Sequence, residues 1–217
     1  MLSRICIFLC LATLIGCKKK QESQQSSDQI VFYEFDPAQE ITSVDSIKTI
    51  QDPFGQYDTP YPSDSSANYQ LDIDGDSVSD FNFLVEHRYH FVSASHPQSN
   101  WWYRMSISGV HPISGISATT SSGFYVTKFY DFGKSIHSGG KWLNEATLIN
   151  TAAPGYGFSG TKYIGLRIAK IFNNYGAYTY CWLKISIDPV SAKNKLLIES
   201  LGYNKTYTNA ITAGQEE

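Results

Sequence analysis

The chain has 217 residues, a formal charge of −3 and an aromatic content of 14%, with 15 Tyr and 12 Phe. No basic stripe is present, which argues against nucleic acid as a partner. Abundant Tyr, Phe, Ser, Thr, Asn and Gly, without long helical periodicity, favours strands and turns.

Met1 to Arg4 form a short, positively charged start, and residues 5–15 are an apolar run with Phe8, Leu9, Leu11 and Leu14. The run is too short for a comfortable membrane span and fits the core of a signal peptide. It ends in Leu14-Ile15-Gly16-Cys17, which resembles the lipobox of bacterial lipoproteins, with small Gly16 just before the cysteine. The resemblance implies a signal peptide over residues 1–16 and acylation of Cys17 by palmitate-type chains. It also implies a lipid-anchored place in the bacterial cell envelope, at the outer membrane. An ordinary secretory signal or a short anchor helix is the alternative for the same run. Acyl chains hold a soluble domain at a bilayer without spanning it, so the membrane is an expected partner.

Residues 17–29 are expected to be the lipidated cysteine and a disordered tether. Lys18 to Gln29 contain no apolar residue and cannot build a core. The three lysines can meet anionic headgroups, but a solvated charge run accounts for them better. Losing Arg4 with the signal takes the charge from −3 to −4. Cys6 and Cys10 leave with it and Cys17 is acylated, so Cys181 stands alone and no internal disulfide is expected.

About 190 residues remain, enough for one domain over residues 30–214 with a short tail at 215–217. Residues 30–35 read as a first strand, closed by Asp36-Pro37. Residues 41–50 have weaker strand character. Residues 52–68, rich in Pro, Gly, Ser and Asp, read as a long loop. In residues 81–92, Phe81, Phe83, Val85, Tyr89 and Phe91 alternate with Asn82, Glu86, Arg88 and His90, the period of a half-buried strand. Trp101, Tyr103, Met105 and Ile107 repeat the pattern, with Trp102, Arg104, Ser106 and Ser108 outward. Residues 123–132 give another strand, and 141–149 are open between a strand and a short helical turn. Residues 154–157 form a turn. Ile164, Leu166 and Ile168 share one side of residues 163–171. Residues 173–176 read as a hairpin connection, after which Cys181, Leu183, Ile185 and Ile187 point inward. Residues 195–203 make a last strand and 211–214 close the fold. Many short strands separated by turn signals predict an all-β, antiparallel, jelly-roll-like β-sandwich, with a β-barrel as the alternative.

One stretch carries candidate chemistry: Leu71-Asp72-Ile73-Asp74-Gly75-Asp76-Ser77-Val78-Ser79-Asp80-Phe81. Hard cations such as calcium take six to eight oxygen ligands, and closely spaced aspartates around a turn supply them. Asp72, Asp74 and Asp76 alternate, Gly75 lets the chain bend, Val78 offers a backbone carbonyl and Asp80 closes the set. The pattern resembles the Asp-rich loops of integrin-type blades and thrombospondin repeats. It is not an EF-hand, because Phe83 stands where a bidentate Glu is needed and strands flank it. A solvated acidic turn is the plainer account. Against it stands the mutual repulsion of four crowded carboxylates without a cation.

Taken with Tyr163-Ile164-Gly165-Leu166-Arg167, Tyr180-Cys181-Trp182-Leu183-Lys184-Ile185 and the closing Ile211-Thr212-Ala213-Gly214, the chain resembles a broad group of exported β-sandwich proteins common among Bacteroidetes-type lipoproteins. The resemblance covers most of the mature chain and implies fold and address. It brings no catalytic residue across.

Other motifs carry less. His87 and His90, with His96 nearby, have a three-residue spacing that places them on opposite faces of a strand, which works against a shared transition metal. The glycine-rich residues 155–160 lack a lysine and a following helix, and Ser159 lies in no nucleophile elbow. Tyr163, Arg167, Tyr178, Tyr180 and Trp182 share the polar-facing side of their strands with Lys184. Exposed aromatics beside polar groups stack on sugar rings or meet a protein partner, whereas covering loops or cross-strand pairing give the structural account. The expected protein is therefore a non-catalytic, calcium-stabilised lipoprotein with an adhesive or glycan-binding role. A carbohydrate-active enzyme or accessory subunit, with two facing carboxylates, is the alternative.

Overall fold

The computed structural model describes residues 30–43, 46–51, 58–63, 65–90, 100–121, 123–150, 158, 160–172, 175–187 and 195–216. The expected signal peptide, Cys17, the tether, Phe91, His96, the turn at 154–157 and Ser159 lie outside them. So do the side chains of Arg88, Tyr89, His90, Trp101 and Trp102.

Every regular element among the described residues is a strand: β1 (Ile30–Thr42), β2 (Ser46–Gln51), β3 (Asp58–Ser63), β4 (Ser65–Leu71), β5 (Phe81–His90), β6 (Asn100–Gly109), β7 (Gly115–Ser121), β8 (Phe124–Thr127), β9 (Phe129–Tyr130), β10 (Ser135–Ile136), β11 (Lys141–Leu143), β12 (Glu145–Asn150), β13 (Gly160–Phe172), β14 (Tyr175–Ile187), β15 (Lys195–Asn204) and β16 (Ile211–Thr212). The larger sheet has the order β1-β15-β14-β13-β7-β11, with β8 on β7 and β9 on β13. The smaller has the order β12-β6-β5-β4, and two ribbons pair β10 with β16 and β2 with β3. All pairings are antiparallel and the sheets do not close into a barrel, so the sandwich stands and the barrel alternative falls.

The main core lies between the two large sheets. Phe81, Phe83, Val85, Met105 and Ile107 from the smaller sheet pack with Ile164, Leu166, Cys181, Leu183 and Ile185 from the larger, all without solvent exposure. These are the inward positions of period-two alternation, and each large aliphatic or aromatic side chain buried there contributes about 1.5–3 kcal/mol. Cys181 is therefore expected to resist thiol reagents until the domain unfolds. Rapid labelling of the native protein would show that the β14 register is wrong.

The strands differ from the sequence reading in several places: β7 and β10 fall where no strand was expected, and the strand read over 123–132 is split into β8 and β9. Strand β1 runs past Asp36-Pro37: its pairing with β15 breaks after Glu34 and resumes at Gln39, so the proline, which has no N–H to donate, sits in the irregular stretch. The stretch read as a loop over 52–68 contains β3 and the first four residues of β4. The prolines of β3 fall in a two-stranded ribbon, where an edge tolerates missing donors, and β4 pairs along its length with β5. Residues 141–149 are strands β11 and β12, not a helical turn. Tyr175 and Gly176 belong to β14, since β13 and β14 stay paired out to Phe172 and Tyr175. Glu86 and Ser106, expected outward, are also buried.

The bulge in β15 has an electrostatic role. Lys184 pairs with Ser200 but Ile185 pairs with Ile198, which leaves Glu199 extra. The extra residue switches parity, so that Leu196, Ile198, Leu201 and Tyr203 all face the core. Glu199 lies 2.8 Å from Lys184 Nζ. Burial acts to raise the Glu199 carboxyl, but hydrogen bonds from Lys184, Ser186 and Thr161 outweigh it and hold the group below its ordinary 4.5. A depressed carboxylate stabilises the fold above its unfolded pKa, and that contribution disappears as pH falls through the lower folded value. Glu199→Gln should flatten the acid limb of the stability curve below about pH 4.5. An unchanged acid limb would show that the ion pair is energetically neutral.

A second, smaller core covers the other face of the larger sheet. Tyr180 and Trp182 are 2% and 1% exposed, packed with Tyr130, Ile136, Ile211 and Ala213. The β10–β16 ribbon makes this cover, extended by hydrogen bonds from Gly133 N–H to Ala213 O and from Ala213 N–H to Lys134 O, both 2.9 Å. Strand β14 is thus buried on both faces, which explains its uninterrupted Tyr180-Cys181-Trp182-Leu183 run.

Candidate metal centre

The aspartate loop joins β4 to β5, with Leu71 and Phe81 paired at its mouth and Asp80 N–H donating to Leu71 O at 2.8 Å. Ile73, 1% exposed, pins the middle of the loop into the core. Gly75 at φ 76° and Ser77 at φ 68° take left-handed conformations that turn the chain sharply between carboxylates. Both oxygens of Asp72 accept backbone N–H groups, from Gly75 and from Ser77, each at 2.8 Å. Asp80 Oδ2 accepts the buried Ile73 N–H at 2.9 Å. The Asp80 carbonyl accepts Val110 N–H at 2.8 Å, tying the loop to the turn after β6.

This scaffold gathers three carboxylates. One oxygen each from Asp72, Asp74 and Asp80 lies within 4.8 Å of the others. Oxygens bound at 2.3–2.6 Å to one calcium ion are at most about 5 Å apart, so the trio can share a metal ion. Asp76 is not in this group. Its Oδ1 turns back to accept Val78 N–H at 2.9 Å, and the Val78 side chain is 62% exposed. Beside the loop, burial pushes the Tyr203 phenol up to about 12, with smaller contributions from Tyr33 and Asp74.

The five residues expected on a ligand face separate. Tyr180 and Trp182 are buried beneath the β10–β16 ribbon, so they are not part of an exposed strip; the ribbon pairs residues distant in sequence, which alternation along β14 does not reveal. Tyr163 is half-buried and meets Trp182 edge-on at 5.6 Å. Arg167 and Tyr178 do come together, with the guanidinium 4.2 Å from the Tyr178 ring centroid. Trp142, missed in the sequence because its segment was ambiguous, also lies near Arg167, its ring centroid 5.1 Å from the guanidinium, and packs on Tyr180 at 5.6 Å. His87 is buried, 2% exposed, and stacks on Tyr103 at 4.4 Å.

Comparison with protein-family models, with curated proteins and with solved structures gives no match for this chain.

Proposed function

We propose that this protein is a calcium-stabilised, lipid-anchored β-sandwich of the bacterial envelope that binds rather than catalyses, with an adhesive or glycan-binding role. The observation that carries the reading is the Asp72, Asp74 and Asp80 group, with ligand oxygens inside 4.8 Å on a loop rooted in the main core. An all-carboxylate donor set with no His or Cys suits a hard cation better than zinc or copper. Calcium there would join β4 to β5 where their hydrogen-bond ladder ends.

Affinity in the range of extracellular modules, on the order of 10⁻⁴ to 10⁻³ M, is expected. Saturation at a hundredfold over the dissociation constant stabilises the fold by about 2.7 kcal/mol. Calorimetric titration of chelator-treated protein, with melting curves in calcium and in chelator, tests this directly. Absence of both binding heat and melting shift would reduce the loop to a turn.

The anchor rests on the apolar run ending in Gly16-Cys17. Cys17→Ser should abolish metabolic labelling with fatty acid and release the protein from the membrane fraction. Labelling that persists in this variant would refute lipidation at Cys17.

A further inference from the structure

We infer that the outer face of the larger sheet carries a carboxylate-binding subsite centred on Arg167, suited to a uronate residue of an acidic glycan; this deepens the glycan-binding reading above and rests on it.

Arg167 lies on β13, directly opposite Gly115 of β7. A Cβ at Gly115 would stand 2.9 Å from Arg167 Nε and 3.4 Å from its Cγ, so the glycine opens the slot in which the arginine stem lies. The guanidinium is then flanked from both sides of β13. Tyr178 comes from β14, and Trp142 comes from β11, reaching across β7 over the space that Gly115 leaves. Cation–π contact with two rings holds the charge in place.

Three lysines of this sheet are paired with carboxylates, while Lys141 of β11 packs its ammonium over the Tyr125 ring. Lys162 pairs with Asp131 at 3.0 Å, Lys184 with Glu199 at 2.8 Å and Lys195 with Glu40 at 2.7 Å. Among the described residues no carboxylate pairs with Arg167. Its Nε is occluded and has no hydrogen-bond partner, and the same holds for Trp142 Nε1. A partly desolvated guanidinium without a counter-charge is unfavourable, and an incoming anion relieves it. With the rings at its sides and Nε occluded, the terminal Nη groups are what remain for a ligand. That in-plane fork matches a carboxylate in bidentate geometry. The adjacent aromatic surface of Tyr178 and Trp142 offers apolar contact to the sugar ring that bears the carboxylate, which a bare acidic side chain would leave unused.

The test uses the detergent-solubilised full chain in calcium and two hexasaccharides. One alternates glucuronate with N-acetylglucosamine; the other is the same chain with its carboxyls reduced to alcohols. Calorimetry should show binding of the first and a loss of about tenfold or more for the second. Arg167→Lys, which keeps the charge and removes the fork, should weaken the acidic sugar by a similar factor while leaving the calcium-dependent melting shift intact. Equal binding of both sugars would overturn the carboxylate subsite and leave glycan binding standing. Binding of neither would overturn both, with the calcium site judged by its own titration. Should Arg167→Lys fail to fold, the two sugars on the unmodified protein still decide. A poly-glutamate peptide binding as tightly as the acidic sugar would overturn the glycan assignment.

Discussion

Asp80→Ala is expected to lower the melting temperature in chelator as well as in calcium, whereas Asp74→Asn should lower it only in calcium. The difference follows from what each carboxylate does without a metal. Asp80 is 9% exposed, and its Oδ2 accepts the N–H of Ile73, itself 1% exposed. Truncation leaves that donor buried and unsatisfied, at a cost of about 1–3 kcal/mol. For a chain of this size each kcal/mol moves the midpoint by about 2–4 °C, so a drop of several degrees is expected without any ion. Asp74→Asn keeps the shape of the side chain, puts an NH2 donor in place of one acceptor oxygen, and removes the charge that a hard cation requires. Its effect should equal most of the calcium-dependent increment and vanish in chelator. Melting curves of both variants in both conditions separate the two roles. If Asp80→Ala is neutral in chelator, the hydrogen bond to Ile73 contributes nothing. If Asp74→Asn destabilises equally in both conditions, the trio is a structural turn and not a cation site.

The aspartate loop was legible in the sequence because its parts are local. Asp72, Asp74 and Asp80 lie within one turn, and Gly75 marks where the chain reverses. What the sequence did not show is that Asp76 turns outward, since that depends on the backbone angles at Gly75 and Ser77 and on the hydrogen bond back from Val78. The main core was legible for a similar reason. Period-two alternation from Phe81 to Val85 and from Cys181 to Ile187 assigns faces without knowledge of partners. The second core was not, because Ile136 and Ile211 meet across a large separation in sequence, and neither two-residue strand has a pattern of its own. One signal was available: four consecutive large side chains, Tyr180-Cys181-Trp182-Leu183, read more naturally as a strand buried on both faces than as one with an exposed aromatic side. The loop reading of 52–68 fails because its Pro, Gly, Ser and Asp content reads as turn-forming, whereas an edge ribbon leaves every second N–H unpaired and accepts Pro60 and Pro62.

The largest single-residue loss is expected at Trp182, and its partner Gly202 makes the loss diagnosable. Trp182 is 1% exposed, faces Phe32 at 5.9 Å and Tyr163 at 5.6 Å, and donates its indole N–H to Gln215 O at 3.1 Å. Trp182→Ala should cost about 3–5 kcal/mol. It should also raise hydrogen exchange at Gly133 and Ala213, whose N–H groups tie the covering ribbon together. Gly202 pairs directly with Trp182 across β14 and β15, and a Cβ there would fall 2.5–2.7 Å from three atoms of the indole. Gly202→Ala must therefore displace the ring, an overpacking cost of about 1–3 kcal/mol. With the indole gone, the clash has no second partner. In the Trp182→Ala background the same Gly202→Ala change should be neutral or slightly stabilising, because alanine loses less backbone entropy than glycine in a strand, by about 0.5–1 kcal/mol. Denaturant unfolding of the two single variants and the double variant closes the cycle. A coupling at least as large as the single Gly202→Ala cost is the expected result. Additive losses would mean that Gly202 is required for some reason other than the indole lying over it.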